Sequence, residues 1–121
     1  SVSIHAKLQA GIIRVEHLTE ELADESVSSL TDDQRGDMNA MKEGIKRFHA
    51  ELTDFPDLST QTTQQLTTLR HDLRNHLNLI NGFAFVFVKG LGGELPESKV
   101  AIANQIHQLS KGLIGIVNRI A

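Results

Sequence analysis

An apolar repeat with alternating steps of three and four residues runs through four successive segments of this 121-residue chain and limits the folds open to it. The repeat is most regular at Met38, Met41, Ile45, Phe48, Leu52 and Phe55, and at Ile102, Ile106, Leu109, Leu113, Ile116 and Ile120. A period near 3.5 residues is typical of helices that pack at about 20°. Short connections make successive helices antiparallel neighbours. The sequence therefore predicts an all-α, antiparallel four-helix bundle made of two helical hairpins.

The first hairpin is predicted over about residues 3–55. Its first helix should run from about Ser3 to Ser29. Thr31 with Gln34 three residues later is a capping-box pattern, which favours a helix start because each side chain can bond the backbone N–H of the other residue. The second helix should end before Pro56, since proline disfavours a helical backbone in the residue before it.

The second hairpin is predicted over about residues 59–121. Ser59 and Thr60 should open its first helix, which continues to about Lys89 and is ended by a glycine cluster. Pro96 should begin the last helix, because proline is favoured at the start of helices. Together the two hairpins are predicted to form a single domain over residues 1–121.

Composition favours a soluble globular protein and argues against several classes of function. Hydrophobic residues are 40% and charged residues 22% of the sequence, which is ordinary for such proteins. The net charge of −3 argues against a nucleic-acid surface, and no apolar run approaches the roughly 20 residues that span a bilayer. The absence of cysteine fits a reducing cytoplasm. Because the chain begins at Ser1 and not at Met, we expect it to be a piece of a longer protein.

The third segment carries a group of chemically active side chains, in which His71 is followed by Asp72, Arg74 and Asn75. On a helix, His71 and Asn75 share a face because they are four residues apart, and Arg74 lies along the same stripe. The apolar residues of this segment predict a buried seam at Leu66, Leu69, Leu73, Ile80 and Phe87. His71 is therefore predicted to lie beside the seam, on the solvent side of a rigid helix.

This group resembles the phosphoacceptor box of the dimerisation-and-histidine-phosphotransfer domain of sensor histidine kinases. The residues that carry the resemblance are His71, Asp72, Asn75, Leu77 and the segment 79–83. The resemblance covers roughly Leu66 to the C-terminus. That family usually has a proline where this chain has His76, and without proline the helix keeps its hydrogen bond and should be less kinked.

The resemblance implies a division of roles within the box. His71 would accept a phosphoryl group on its distal ring nitrogen, since neutral imidazole is a good nucleophile. Asp72 would act as an acid or base towards the ring proton. Asn75 would position a water for hydrolysis of a partner's aspartyl phosphate, and Arg74 could contact the phosphate.

The resemblance also implies the partners. Phosphate would pass to or from the aspartate of a response-regulator receiver domain, or the chain would promote dephosphorylation of that domain. The donor would be a histidine kinase or an ATP-binding domain, in the same chain or in another. The chain itself should bind no cofactor or metal and show no kinase activity alone, because ATP and Mg²⁺ would belong to partner domains. We expect a cytoplasmic protein that neither inserts into membranes nor binds nucleic acid.

Two other functions fit the sequence. One is a degenerate, non-phosphorylated bundle that dimerises or binds a regulator, and the other is a helical linker between a sensor and an output domain. The apolar run 82–88, in which phenylalanines alternate with small or branched residues, is predicted to be helical. A helix this apolar should be covered on more than one side, which favours core burial and leaves a partner surface as the alternative.

The two hairpins also raise a question of assembly. Phosphotransfer domains of the family obtain four helices by pairing two chains, so a single chain with two hairpins could fold as a pseudo-dimer. The two halves of the sequence align weakly, with Met41, Phe48, Leu52 and Phe55 against Ile106, Leu113, Val117 and Ile120. Any two amphipathic hairpins would align about as well, and a homodimer of the whole chain is a further alternative.

Overall fold

A computed structural model describes residues 3–120 of the chain. This part contains four α-helices, one 3-10 turn and no strand. The elements are α1 (Ile4–Ala23), α2 (Asp32–Thr53), the 3-10 turn (Leu58–Thr60), α3 (Thr63–Lys89) and α4 (Glu97–Val117). None of the described helices is long and apolar enough to cross a membrane. The predicted all-α four-helix bundle is confirmed, and α4 begins directly after Pro96 as the sequence predicts.

Hydrogen bonds between helix ends show how the helices are arranged. Lys99, near the start of α4, donates to the carbonyl of Asp24 just after α1 (2.8 Å). Arg70, near the start of α3, donates to the carbonyl of Ile120 just after α4 (2.6 Å). Both pairs of helices are therefore antiparallel. Since α1 and α3 each pack against both α2 and α4, α1 and α3 lie on a diagonal of the bundle.

All four helices contribute to one apolar core, whose burial is the main source of stability in a bundle. Its largest fully buried apolar side chains are Phe48, Phe87, Leu8, Ile12, Leu22, Met41, Leu52, Leu73, Leu77, Ile80 and Ile106. The predicted stripe of α2 lies in this core, with Phe55 at the edge. The apolar repeat therefore identifies the core face of α2 correctly.

The core face of α4 differs from the predicted one. The residues that lie in the core are Ala103, Ile106, Ser110, Leu113, Val117 and Ile120. Ile102, Leu109 and Ile116, which the apolar repeat predicts to be buried, are only half-buried. Asn81 of α3 donates to the hydroxyl oxygen of Ser110 (3.2 Å), which keeps this small residue at the interface. α4 is thus rotated from the predicted orientation, and Ile102, Leu109 and Ile116 form a second apolar row near the surface.

The end of α1 also differs from the prediction, because the helix stops at Ala23 and not near Ser29. Glu25 accepts hydrogen bonds from the backbone N–H of Leu30 (2.8 Å) and from the guanidinium of Arg35 (2.7 Å). The bond from Arg35 lowers the pKa of the Glu25 carboxyl. Side chains that satisfy backbone groups in this way stabilise a loop in place of another helical turn.

The start of α2 is the predicted capping box, with an additional function. Thr31 accepts from the N–H of Gln34 (3.1 Å), and the Gln34 side chain accepts from the N–H of Thr31 (2.9 Å). The Gln34 amide also donates to the carbonyl of Gly93 (2.9 Å), and the Thr31 hydroxyl donates to that of Gly92 (2.7 Å). The cap therefore fastens the loop between α3 and α4 to the start of α2.

α3 begins later than predicted and ends as predicted. Ser59 lies in the 3-10 turn, where its N–H donates to the carboxylate of Asp57 (3.0 Å). The helix begins after Thr62, which forms a second capping box with Gln65. At the other end Gly90 has a φ of 67°, a left-handed conformation that favours glycine and terminates the helix.

Candidate functional site

α3 carries all four predicted site residues on one continuous helix. Leu69, Leu73 and Leu77 lie in the core, whereas His71 and Asn75 lie on the opposite, exposed side. The His71 side chain is 64% exposed. Because the buried leucines fix the helix, the imidazole is held at a defined place on the surface.

One ring nitrogen of His71 has two neighbours. The Asp72 carboxylate is 3.3 Å from Nδ1, and the Asn75 amide nitrogen is 3.5 Å from the same atom. The two contacts require different tautomers, because Nδ1 donates to the carboxylate only when protonated and accepts from the amide only when it is not. The contact with Asp72 is shorter and involves an ionised acceptor, so it favours the tautomer with the proton on Nδ1.

The other ring nitrogen, Nε2, carries a lone pair in that tautomer. Within residues 3–120, Nε2 of His71 takes part in no hydrogen bond. With the side chain largely exposed, an electrophile carried by another molecule can reach this nitrogen. A neutral imidazole held in this way is suited to nucleophilic attack.

Arg74, the predicted phosphate contact, has a different partner. Its guanidinium donates to the side-chain oxygen of Asn118, which follows α4 (2.9 Å). One turn earlier, Arg70 donates to the carbonyl of Ile120 (2.6 Å). The structure therefore brings His71, Asp72 and Asn75 together, while the two arginines fasten the end of α4 beside them.

His76 replaces the proline that the resemblance leads one to expect, and its ring nitrogen lies 2.9 Å from a carboxylate oxygen of Glu51 on α2. The second oxygen of Glu51 is buried and has no hydrogen-bond partner within residues 3–120. Glu51 and Asp72 both line a cleft of about 360 Å³ between α2 and α3. In the described residues no group of three or more His, Asp or Glu side chains is arranged to hold a metal ion.

Asn118 and Glu51 are the residues around the box that sequence reasoning misses. Asn118 lies 44 positions from its partner Arg74, and Glu51 lies 25 positions from its partner His76. No local pattern marks either residue, because each meets α3 only through the packing of the helices.

An exposed stripe extends along α3 from the box towards the end of the helix. We define the α3 stripe as His71, Asn75, Asn78, Gly82, Phe85 and Lys89. Its steps of four, three, four, three and four keep these residues within about 40° of one line along the helix. Phe85 is 44% exposed, with the Lys89 ammonium 5.5 Å and the His107 ring of α4 5.9 Å from the centre of its ring.

The apolar run 82–88 is helical, as the sequence predicts. Ala84 and Phe87 face the core, whereas Phe85 faces outwards on the α3 stripe. The run therefore supplies core packing on one side and an exposed aromatic residue on the other.

Comparison with known proteins gives no assignment: no protein-family model matches the chain, and no curated protein or solved structure shows significant similarity to it.

Proposed function

We propose that this chain is a histidine phosphotransfer module of two-component signalling. His71 exchanges a phosphoryl group with the aspartate of a response-regulator receiver domain, or assists removal of phosphate from that domain. The observation that carries the proposal is the exposed His71 imidazole, with the Asp72 carboxylate 3.3 Å from Nδ1 and with Nε2 in no hydrogen bond within residues 3–120. The resemblance of the box to that of sensor histidine kinases supports the same function. This function implies a cytoplasmic location.

In the proposed transfer, Nε2 of His71 attacks the phosphorus of a receiver aspartyl phosphate. The N–P bond forms while the bond from phosphorus to the aspartyl oxygen breaks, and the aspartate leaves as a carboxylate. The ring gains positive charge, and Asp72 stabilises this charge or accepts the Nδ1 proton. Phosphoryl transfer depends mainly on positioning and charge neutralisation, and the receiver would bring the Mg²⁺.

Asn75 supports the second proposed activity of this site, the dephosphorylation of a receiver domain. Its amide is exposed, one helical turn from His71 and 3.5 Å from the ring. An amide at this position can orient a water towards the phosphorus of a docked receiver, as the resemblance implies. The substitution Asn75→Ala should therefore slow receiver dephosphorylation while leaving His71 able to accept phosphate.

The proposal assigns docking of the receiver to the α3 stripe. Phe85 offers an exposed aromatic anchor of a kind enriched at interfaces, and the Lys89 ammonium lies 5.5 Å from the centre of its ring, within cation–π range. Gly82 lies between the box and Phe85, and an added Cβ there would have nothing within 4 Å. A partner backbone can therefore approach α3 closely along the stripe.

The test is a phosphotransfer assay with two sources of phosphate. The chain is mixed with a panel of receiver domains phosphorylated by a small-molecule donor, and separately with an ATP-loaded histidine kinase. Acid-labile label is followed on the wild type, on His71→Gln and on the control His17→Gln, which changes an exposed histidine of α1. We expect label on the wild type and the control only. Equal label on His71→Gln, or neither label nor loss of receiver phosphate across the panel, would refute the proposal.

The alternative is a degenerate bundle that binds a regulator without accepting phosphate, and the exposed Phe85 favours binding in either case. Under this alternative the wild type stays unlabelled and the substitution Phe85→Ala weakens receiver binding about tenfold. Binding measured by calorimetry, next to the transfer assay, separates the two functions.

A further inference from the structure

A groove of about 770 Å³ lies between α1 and α4, on a face of the bundle that does not include α3. The apolar and small residues that line it are Ala6, Ala10 and Gly11 on α1, and Leu109, Gly112, Leu113 and Ile116 on α4. Because the side chains of the small residues are short, a partner could approach the backbone of both helices closely.

The second apolar row of α4 contributes Leu109 and Ile116 to this groove. The core uses the row that contains Ile106 and Leu113, while Leu109 and Ile116 remain half-buried at the groove. These two residues are seven positions apart, which is the spacing with which a helix surface receives another helix. α4 thus has more apolar surface than the core of the bundle requires.

The charged residues that line the groove are all cationic. Lys7 and Arg14 on α1 line it together with three uncharged amide side chains of α4, and no carboxylate does. Within residues 3–120 neither Lys7 nor Arg14 takes part in a salt bridge. The groove is therefore a locally cationic edge on a chain whose net charge is −3.

We propose that this groove binds an amphipathic helix of a partner protein, with its apolar stripe on Leu109 and Ile116 and its acidic flank towards Lys7 and Arg14. Charge complementarity selects an acidic flank, because a basic helix would place like charges together. The α4 side of the groove extends from Asn104 to Ile116, which is about 18 Å and fits a helix of roughly three turns.

The amide side chains of α4 distinguish a peptide from a lipid. Asn104, Gln105 and Gln108 line the groove and can hydrogen-bond the polar flank of a helix. An acyl chain has no group that could satisfy them. Because α1 and α3 lie on a diagonal, a helix in this groove leaves His71 accessible, and the inference does not depend on the proposed phosphotransfer.

The test uses three designed peptides of about four helical turns that share one leucine stripe and carry Glu, Gln or Lys on the flanks. Binding to the full chain is followed by amide NMR shifts and calorimetry at low and high salt. We expect the Glu peptide to bind tightest, the Lys peptide weakest, and salt to weaken the Glu peptide selectively.

Two pairs of variants locate the site on the protein. Lys7→Glu with Arg14→Glu should weaken the Glu peptide about tenfold. The control, Lys42→Glu with Lys46→Glu, makes the same change in net charge on exposed residues of α2. Gly112→Gln places a side chain in the groove. Its control, Gly36→Gln, alters another exposed helical glycine with nothing within 4 Å of an added Cβ.

The outcomes that overturn the proposal are distinct. They are equal affinity for the three peptides, no binding of the Glu peptide at millimolar concentration, or equal effects of a variant and its control. A chain that dimerises in sedimentation experiments and loses the dimer in Gly112→Gln would show that a second copy occupies the groove instead. Anionic vesicles that bind through Lys7 and Arg14, while the Glu peptide does not bind, would assign the surface to lipid.

Discussion

Gln34 connects the first turn of α2 to the loop between α3 and α4, and the substitution Gln34→Ala measures that connection. Gln34 is 2% exposed, and its side chain makes two hydrogen bonds, to the N–H of Thr31 and the carbonyl of Gly93. Each bond contributes about 1 kcal/mol net. Loss of the buried methylene destabilises the variant by about 0.8 kcal/mol more, while the higher helix propensity of Ala stabilises it by about 0.4 kcal/mol. We expect a loss of about 2 to 2.5 kcal/mol in the free energy of unfolding.

The matched control is Gln65→Ala, at the start of α3. Gln65 makes the same capping bond, to the N–H of Thr62 (2.8 Å), but it is exposed and has no second partner in the described residues. Its loss should cost only about 0.5 to 1 kcal/mol. Urea unfolding followed by far-ultraviolet circular dichroism is the appropriate assay, because the chain has no Trp or Tyr for fluorescence. Equal losses in the two variants would refute the inference that the bond to Gly93 stabilises the fold.

Five further substitutions test the packing, the loop and the helix surface. Leu73→Ala removes a fully buried side chain below the box and should cost about 3 kcal/mol in urea unfolding, whereas Leu79→Ala, on an exposed residue, should cost less than about 1 kcal/mol. Glu25→Gln should destabilise the protein at neutral pH. Because folding lowers the pKa of Glu25, its ionised carboxyl stabilises the fold at pH values above the ordinary pKa of 4.5. This stabilisation is lost as the pH falls through the pKa of the folded state. The urea midpoints of variant and wild type should therefore converge in acid. Gly82→Ala and Gly115→Ala should each stabilise the bundle by about 0.5 to 1 kcal/mol in the same assay, because both glycines are exposed within helices.

The helices were predictable where apolar periodicity and capping chemistry indicate the same boundary. The Thr31 capping box begins α2, and Gly90 ends α3, because these signals operate within a few residues. The end of α1 was not predictable in this way. It depends on the side chain of Glu25, which bonds Leu30 and Arg35 across a loop whose geometry the sequence does not specify.

The orientation of α4 could not be predicted from its large apolar residues alone. Several steps of the repeat can be followed either through Leu109 and Ile116 or through the smaller Ser110 and Val117. The row through Ser110 and Val117 is the buried one, and Asn81 of α3 bonds Ser110, a contact between residues 29 positions apart. The choice between the rows is therefore made by packing between helices, and the row that is not chosen becomes the groove.

The candidate site was predictable in the part that depends on helical spacing. The separation of four residues brings Asn75 to within 3.5 Å of the His71 ring, and the leucines behind it fix the exposed side of the helix. The partner of Arg74 was not predictable, because Asn118 comes from the other end of the hairpin. Local spacing thus identifies the nucleophile and its neighbours, while packing between helices determines where the cations lie.

Four exposed helical glycines lower the stability of the fold, and two of them lie on the surfaces proposed for binding. Gly36, Gly82, Gly112 and Gly115 lie within helices, and an added Cβ at any of them would have nothing within 4 Å. Each costs about 0.5 to 1 kcal/mol relative to Ala, and packing within the bundle does not require it. Gly82 lies on the α3 stripe and Gly112 in the groove between α1 and α4, whereas nothing in the structure explains Gly36 and Gly115. A residue that breaks a local rule without a packing gain is expected at functional sites. Alanine at 82 or 112 should therefore stabilise the fold while reducing binding at its own surface, and alanine at 36 or 115 should only stabilise.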